Sequence, residues 1–282
     1  MKISNKILAL LTVGGLVLAN PVKVNAGNED RAGQAGATQL LVNPWARSSG
    51  WAGANSAGAR GLEAMYLNVA GIAFTQRTEI LFAHTNWLSG TDISINSFGL
   101  TQRMGETSVI GLSIMSVDLG DIPITTTDLP EGGIGTFSPQ FMNLNLSYAR
   151  AFSDNIYGGM NFKVISESIA NVVAKGAAID AGIQYQTGEM NRVKFGISLK
   201  NVGPRMQYHG DGLSFSSTVL ATGASLTAEQ RSAQFELPSL VNIGGSYDFY
   251  FSKDSVAIKN HKLTLAGNFT SNSFNKDQYK LG

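Results

Sequence analysis

Residues 140–151 read QFMNLNLSYARA, and apolar and polar side chains alternate along this stretch one by one. A period of two residues places the two kinds of side chain on opposite faces of a β-strand. One face of the strand is then apolar and the other is polar. The apolar face carries Met142, Leu144, Leu146 and Tyr148, and the polar face carries Asn143, Asn145 and Ser147.

The same alternation recurs in residues 177–187, 193–200, 241–249 and 263–270. Repeated alternation over short segments predicts an all-β, antiparallel fold. A soluble β-sandwich and a membrane-spanning β-barrel both produce this pattern. The alternation alone therefore leaves both architectures open.

The spacing of the strands favours the barrel. Tight turns at residues 103–106, 153–155 and 188–191 alternate with longer links at residues 118–139, 167–175 and 201–238. Short turns on one side and long loops on the other are typical of outer-membrane barrels, with the long loops outside the cell. The strands are expected at about residues 78–86, 93–102, 107–117, 140–151, 156–166, 176–187, 192–200, 239–251, 261–270 and from 279 onward. The link at 252–260 is long for a periplasmic turn and fits this scheme less well.

The amino terminus has the pattern of a secretory signal peptide. Lys2 and Lys6 precede a short apolar run, and Val24-Asn25-Ala26 resembles a cleavage site. The alternative is a membrane anchor, but the apolar run is short for ~30 Å of hydrocarbon. We therefore expect a signal peptide over residues 1–26. A periplasmic leader with a short helical plug is expected over residues 27–77, and the barrel over residues 78–282.

The composition does not favour an enzyme. Charged residues make up 15% of the chain, the net charge is +1, and there is no cysteine. A chain without excess positive charge does not favour nucleic acid as a partner. The lack of cysteine excludes disulfides, a thiol nucleophile and a lipid anchor. The nucleotide, zinc-protease, hydrolase and calcium-loop motifs are also absent from the sequence. We expect no catalytic residues, no cofactor and no metal.

Two segments near the first expected strand carry a family resemblance. Residues 50–57 read GWAGANSA and residues 61–74 read GLEAMYLNVAGIAF. Together they resemble the entry motif of the PorV/PorQ family, which belongs to the wider group of FadL-like barrels. In that family, a small-residue stretch and a short helix lead to an Asn-Pro-Ala-Gly-Leu-type turn. The chain has Val69 where the family usually has proline, so its turn is less rigid. The plug and entry motif comprise Leu62, Met65, Tyr66, Asn68, Ala70 and Gly71.

The resemblance also implies a strand number. FadL-like barrels usually have fourteen strands, and about ten are visible in this sequence. The tenth strand would begin at Tyr279, three residues before the last residue, Gly282. A membrane strand needs ~9–11 residues, so we expect the sequence to be truncated at its carboxyl end. The alternative is a small complete barrel in which the leader supplies a strand.

The resemblance implies a non-enzymatic protein of type IX secretion in the bacterial outer membrane. Such a protein binds secreted cargo through the cargo's C-terminal signal domain, or binds translocon or attachment components, and shuttles cargo to surface attachment. The alternative is a FadL-like transporter of hydrophobic small molecules. Polar inner positions and an apolar long link favour the shuttle. The candidate partner-binding residues of link 201–238 are Met206, Tyr208, Leu213, Phe215, Val219, Leu220 and Leu226.

Overall fold

The computed structural model describes residues 27–218, 225–250 and 262–282. The expected signal peptide lies outside the described residues. So do Val219 and Leu220 of the candidate partner-binding link, and the whole of the expected link 252–260.

The described chain is mainly antiparallel β-structure with a few short helices. The α-helices are Ala46–Ser49 and Ala64–Leu67, and the 3-10 helices are Glu29–Arg31, Thr38–Leu41, Val69–Phe74, Glu189–Asn191 and Asp211–Leu213. No helix among the described residues is both long and apolar enough to cross a bilayer. The strands are β1 (Thr78–Asn86), β2 (Ser94–Met104), β3 (Ser108–Asp118), β4 (Ile122–Pro123), β5 (Thr136–Phe137), β6 (Gln140–Ala151), β7 (Ile156–Ile169), β8 (Val172–Thr187), β9 (Val193–Val202), β10 (Tyr208–His209), β11 (Ser214–Thr218), β12 (Ser225–Glu229), β13 (Leu240–Tyr250), β14 (Lys262–Asn272) and β15 (Gln278–Leu281).

One large sheet contains the long strands in the order β1-β2-β3-β6-β7-β8-β9-β13-β14-β15. Each strand pairs with its neighbours in the antiparallel direction, which confirms the predicted all-β, antiparallel fold. Within the described residues β1 and β15 are the free edges, so the sheet is not closed into a barrel. The pairs β4-β5 and β11-β12 form two small separate hairpins.

The prediction of a long link at residues 167–175 is wrong. Strands β7 and β8 continue towards each other and are joined by Ala170 and Asn171 alone, with Ala170 in the left-handed region at φ 48°. Their pairing runs through this segment, from Ser166 opposite Lys175 to Ile169 opposite Val172. Polar residues in this segment interrupt the alternation of apolar and polar side chains, so the sequence predicts a link here. The structure shows that these residues belong to the paired strands. On its other side, the extended end of β8 pairs with β10.

The two faces of the large sheet have opposite chemistry, with polar side chains buried and apolar side chains exposed. Leu146 on β6 is 58% exposed, whereas its neighbour Ser147 is 2% exposed. This is the reverse of a soluble sheet, whose apolar face is normally covered. We call the buried polar face the inner face and the exposed apolar face the outer face. The outer face includes Phe82, Phe98, Leu112, Leu144, Phe162, Ile183, Phe195, Ile197, Ile243 and Leu265. The inner face includes Thr101, Asn143, Asn161, Lys163, Asp180, Gln184, Lys194, Ser198, Lys200, Asp248 and Asn268.

The leader, residues 27–77, covers the inner face from one end of the strands to the other. The first part of the leader lies at the end of the sheet opposite the tight turns. There the Asn28 backbone N–H donates to the Asn272 carbonyl at 3.4 Å, and Ala35 forms a parallel bridge with Glu236. At the tight-turn end, the Arg103 Nε donates to the Thr75 carbonyl at 2.8 Å. Contacts at both ends of the strands therefore hold the leader along the whole length of the sheet.

Glycines on the inner face allow the leader to approach the strands closely. A Cβ at Gly196 would lie 2.8 Å from Ala57 Cα, and a Cβ at Gly159 would lie 2.9 Å from the Val69 carbonyl oxygen. Such distances are shorter than van der Waals contact, so only glycine fits at these positions without a shift of the leader. Small residues of the leader pack directly against glycines in the strands of the large sheet. These close contacts fix the position of the leader.

We expect Gly244→Val to displace the leader and Gly245→Val to leave it in place. A Cβ at Gly244 would clash with Ser56 Oγ and lie 2.9 Å from Asn268 Oδ1, whereas a Cβ at Gly245 meets nothing closer than 3.8 Å. Both positions lie in β13, so the two variants have the same strand propensity. Limited proteolysis should cut the leader faster only in Gly244→Val. Equal cleavage of both variants would contradict the close packing.

Candidate functional site

The six residues of the predicted entry motif lie together in the part of the leader that covers the inner face of the sheet. The helix Ala64–Leu67 is a single turn, so Leu62 precedes it and the helix is shorter than the pattern suggests. Leu62, Met65, Asn68, Ala70 and Gly71 are buried, and Tyr66 is half-buried. A Cβ at Gly71 would lie 2.6 Å from Ala64 Cβ. The motif therefore acts as a packing unit in which small residues are required.

Asn68 joins the plug to the wall of the sheet. Its Oδ1 accepts a hydrogen bond from the Ala70 backbone N–H at 3.2 Å and caps the 3-10 helix that follows. Its Nδ2 donates to the carbonyl oxygens of Ile183 at 3.1 Å and Ile197 at 3.4 Å. The side chain therefore fixes the turn against two strands.

Ion pairs neutralise most of the buried charge on the inner face. The Lys163 ammonium lies 2.7 Å from the Asp180 carboxylate, and the Lys194 ammonium lies 2.6 Å from the Asp248 carboxylate. Asp180 also accepts a hydrogen bond from the Asn201 backbone N–H at 2.7 Å. Buried charges are tolerated when they are paired and hydrogen-bonded in this way. The buried charges of these four side chains are therefore paired, whereas some neutral polar atoms of the inner face, such as Asn143 Oδ1 and Ser246 Oγ, have no hydrogen-bond partner among the described residues.

Glu236 holds the start of the leader against link 203–239. Its carboxylate lies 3.0 Å from Arg31 of the leader and 2.6 Å from Arg205 of the link. Hydrogen bonds from Arg31 and Arg205 lower the pKa of this exposed carboxyl below its usual range. The backbone N–H of Gly36 also donates to the Glu236 carbonyl at 3.0 Å. We call this cluster the leader–link junction.

A second carboxylate, Glu167 at the end of β7, ties the same two segments together. Gln39 of the leader donates to it at 2.9 Å, and the Tyr208 hydroxyl donates to it at 2.5 Å. Burial, and next the hydrogen bond to Glu167, raise the pKa of the Tyr208 phenol well above its usual range. The phenol therefore stays protonated and keeps its donor role at every physiological pH.

Two of the predicted partner-binding residues hold the base of the link and do not protrude from it. Met206 is 1% exposed and packs in a buried cluster with Leu40, Ile165 and Leu237. Tyr208 is half-buried, and its ring centroid lies 5.5 Å from that of Phe235. The expectation of exposed apolar contacts is therefore wrong for Met206, because the leader and the ends of β7 and β8 offer it an apolar pocket.

Two of the three remaining described residues of the set lie on one face of the hairpin β11-β12. Phe215 is 52% exposed and Leu226 is 55% exposed. Phe215 pairs with Ala228, and Leu226 pairs with Ser217, so these four side chains share a face. Leu213 is half-buried at the foot of the hairpin, where its carbonyl accepts a hydrogen bond from Gln230 at 2.8 Å. We call β11-β12 the link hairpin.

The sequence analysis missed a second exposed apolar surface, in the link between β3 and β6. The sequence predicts residues 118–139 only as one of the longer links. The structure places a short hairpin there, with apolar side chains exposed around it. They are Ile122, Ile124, Leu129 and Ile134. The spaced isoleucines were the available signal, and the acidic residues between them obscured it.

No metal-binding cluster is present in the described ranges, where no three or more His, Asp or Glu side chains converge. His84 makes hydrogen bonds with Asn96 at 2.7 Å and Asn86 at 3.0 Å, and His209 lies 3.8 Å from Glu229.

We expect Glu236→Gln to loosen the leader–link junction. Glutamine keeps the shape of the side chain but removes the charge that Arg31 and Arg205 bind, so the Gly36 amide should exchange its hydrogen faster. Because the pKa of Glu236 is lowered, its stabilising charge is present above the usual glutamate pKa and is lost as the pH falls through the lowered value. Glu229→Gln, which changes a carboxylate outside the junction, is the control. Equal exchange at Gly36 in both variants would contradict this role.

No model of a known protein family matches the chain, and no curated protein matches it with significant sequence similarity. The function therefore has to be inferred from the sequence pattern and from the geometry of the site.

Proposed function

We propose that the large sheet is the wall of a FadL-like outer-membrane β-barrel and that the leader is its plug. The inverted polarity of the sheet supports this proposal. An apolar surface exposed to water costs about 25 cal/mol per Å², and the same surface is stable in hydrocarbon. The buried polar face then lines the interior, as outer-membrane barrels require.

The proposed membrane position also sets a condition on the free edges of the sheet. Unpaired backbone N–H and C=O groups cannot remain in hydrocarbon, because each costs several kcal/mol. Closure of the wall therefore requires pairing partners for β1 and β15. In this orientation the turns at 105–107, 152–155 and 188–192 face the periplasm. The leader–link junction and the link hairpin face the outside.

We propose that this protein acts in type IX secretion as a non-enzymatic carrier that binds secreted cargo or translocon partners. The link hairpin carries the proposal, since it presents an exposed apolar face on a base that the junction holds against the leader. Exposed apolar patches on otherwise folded surfaces mark sites of protein contact. Aromatic side chains such as Phe215 are favoured anchors in such contacts.

The transporter alternative requires an apolar path through the interior. The plug fills the inner face, and the buried residues around it are ion-paired or polar, which disfavours such a path. A cavity of about 350 Å³ beside Leu41, Leu67 and Phe274 is the one observation that favours the transporter. Cargo export and uptake of small molecules are therefore measured together in the tests below.

We expect Leu146→Arg to impair membrane assembly more than Asn145→Arg. Leu146 lies on the outer face, where an arginine near the bilayer midplane costs about 2–4 kcal/mol. Asn145 lies on the inner face, where its Nδ2 donates to Ser113 Oγ at 3.0 Å. Outer-membrane fractionation, with heat-dependent mobility as the measure of folding, compares the two variants.

The two substitutions introduce the same residue at adjacent positions of β6, so strand propensity and net charge are matched. Equal assembly of both variants would argue for a soluble sheet and against the membrane wall.

We expect the double variant Phe215→Ser with Leu226→Ser to cut surface delivery of cargo about tenfold. This corresponds to the loss of roughly 1.4 kcal/mol of binding energy from an apolar anchor. The matched control is Ser216→Ala with Thr227→Ala, which changes the opposite face of the same hairpin. Cargo on the cell surface is measured by immunoblotting of protease-shaved cells, with uptake of a hydrophobic compound measured in parallel.

Normal cargo delivery with reduced uptake in the apolar-face variant would overturn the carrier proposal and favour the transporter. An equal loss of delivery in both double variants would show that the hairpin acts only through its fold.

A further inference from the structure

An open cleft of about 510 Å³ lies where strands β8 and β10 meet, at the end of the sheet opposite the tight turns. Its basic side chains are Lys175, Arg205 and His209, and Gln207 and Gln234 add amide groups. Among the described residues, no acidic side chain lines this cleft. Its walls therefore offer hydrogen-bond donors and positive charge, which is the chemistry that binds anions. We call it the basic cleft.

The basic cleft lies on the outer face of the sheet. Side chains alternate between the two faces along β8. Ala174 is fully buried on the inner face, so the exposed Lys175 lies on the outer face, as does Ile179. Met206 is also buried, and its exposed neighbour Arg205 lies on the opposite side of the chain. The cleft therefore faces the surroundings of the sheet and not its interior.

Apolar side chains of the outer face give way to polar ones next to the basic cleft. Val164 and Ile179 are exposed and apolar, whereas Ser166 pairs with Lys175. Segment 175–187 of β8 spans about 28 Å of membrane depth, for a rise of ~3.3 Å per residue and a tilt of ~45°. The apolar band of an outer-membrane barrel is ~25 Å tall. Since β8 ends at Thr187, beside a periplasmic turn, the proposed membrane position places Lys175 at the level of the outer head groups.

The basic cleft keeps a positive charge after its ion pairs are counted. Among the described residues, Lys175 makes no ion pair. Arg205 donates to Glu236 at 2.6 Å, but Arg31 shares the same carboxylate at 3.0 Å, so one of the two arginine charges is left over. A second nearby carboxylate, Glu229, offsets one charge. The guanidinium of Arg205 also has further N–H donors that Glu236 does not use.

We propose that the basic cleft binds the phosphate group of an anionic lipid in the outer leaflet of the membrane. Lys175 and the guanidinium of Arg205 hold the phosphate, as these two groups commonly do. The acyl chains of the lipid lie along Val164 and Ile179, which are exposed directly beside the cleft. Because Arg205 also belongs to the leader–link junction, the bound lipid contacts the base of the link. This inference rests on the proposed membrane position and goes beyond the proposed role in secretion.

The test is native mass spectrometry of the full chain, purified in a non-ionic detergent and titrated with lipid. The probe is diphosphoryl lipid A, and the comparison is the same lipid without its phosphates. The wild type should bind the phosphorylated lipid at least about tenfold more tightly. Lys175→Gln should weaken that binding about tenfold, as expected for the loss of a charge-assisted hydrogen bond. Inorganic phosphate at millimolar concentration should not displace the lipid, because it lacks the acyl chains.

The matched control is Lys276→Gln, which removes the same charge from an exposed lysine at the same end of the sheet. Lys276 lies 3.5 Å from Glu29 and does not line the cleft. This variant should bind lipid A like the wild type. An equal loss in both variants would show attraction by general surface charge and would overturn the site. So would equal binding of the two lipids, unchanged binding in Lys175→Gln, or displacement by inorganic phosphate.

Heat-dependent mobility of each sample separates this inference from the membrane proposal on which it rests. Wild-type protein that shows the mobility of a folded barrel but does not prefer the phosphorylated lipid would overturn the lipid site alone. Wild-type protein without such mobility would contradict the membrane wall itself, and the lipid site with it. Lys175→Gln should keep the mobility of the wild type, because Lys175 is exposed and its side chain supports no contact within the wall.

Discussion

The inner face of the large sheet carries buried polar side chains, and the need to satisfy them determines the rest of the structure. A soluble sheet buries apolar side chains, which need no partners, whereas every buried amide, carboxylate and ammonium here requires one. The leader supplies many of them, as when Gln184 donates to the carbonyls of Ser56 and Ala59. Ion pairs such as Lys194 with Asp248 supply others. The leader is therefore a structural requirement of the large sheet.

This requirement explains why the leader runs the full length of the strands. It must reach Glu167 and Glu236 at one end and Arg103 at the other, and these anchors lie at opposite ends of the sheet. The same segment consequently fixes the base of link 203–239. The link hairpin stands on this fixed base with all its described residues exposed. A rigid base lowers the entropy lost when the hairpin binds a partner.

The sequence predicted the strands where alternation was uninterrupted, and residues 140–151 match β6 at both ends. It missed the turn at Ala170 and Asn171, because Glu167 and Lys175 look like loop residues until their pairing across the hairpin is known. The sequence also could not show that Met206 is buried whereas Phe215 is exposed. Both are apolar residues of one link, and only tertiary contacts decide which is buried. The path of the leader could not be predicted from the sequence for a similar reason. Its small residues show no hydrophobic periodicity, and its position depends on glycines in distant strands.

The anchoring of the leader also bears on the choice between the two proposed functions. Passage of a molecule through the interior would require the leader to move. That movement would break the Asn68 bonds to two strands and the close contacts at Gly196 and Gly244. Binding at the link hairpin requires none of these changes, because it lies beyond the junction. Protein contact at the loops therefore uses the structure as it stands, whereas transport would need much of the inner polar network to be rebuilt. This difference in cost is the physical argument for a carrier with a filled interior.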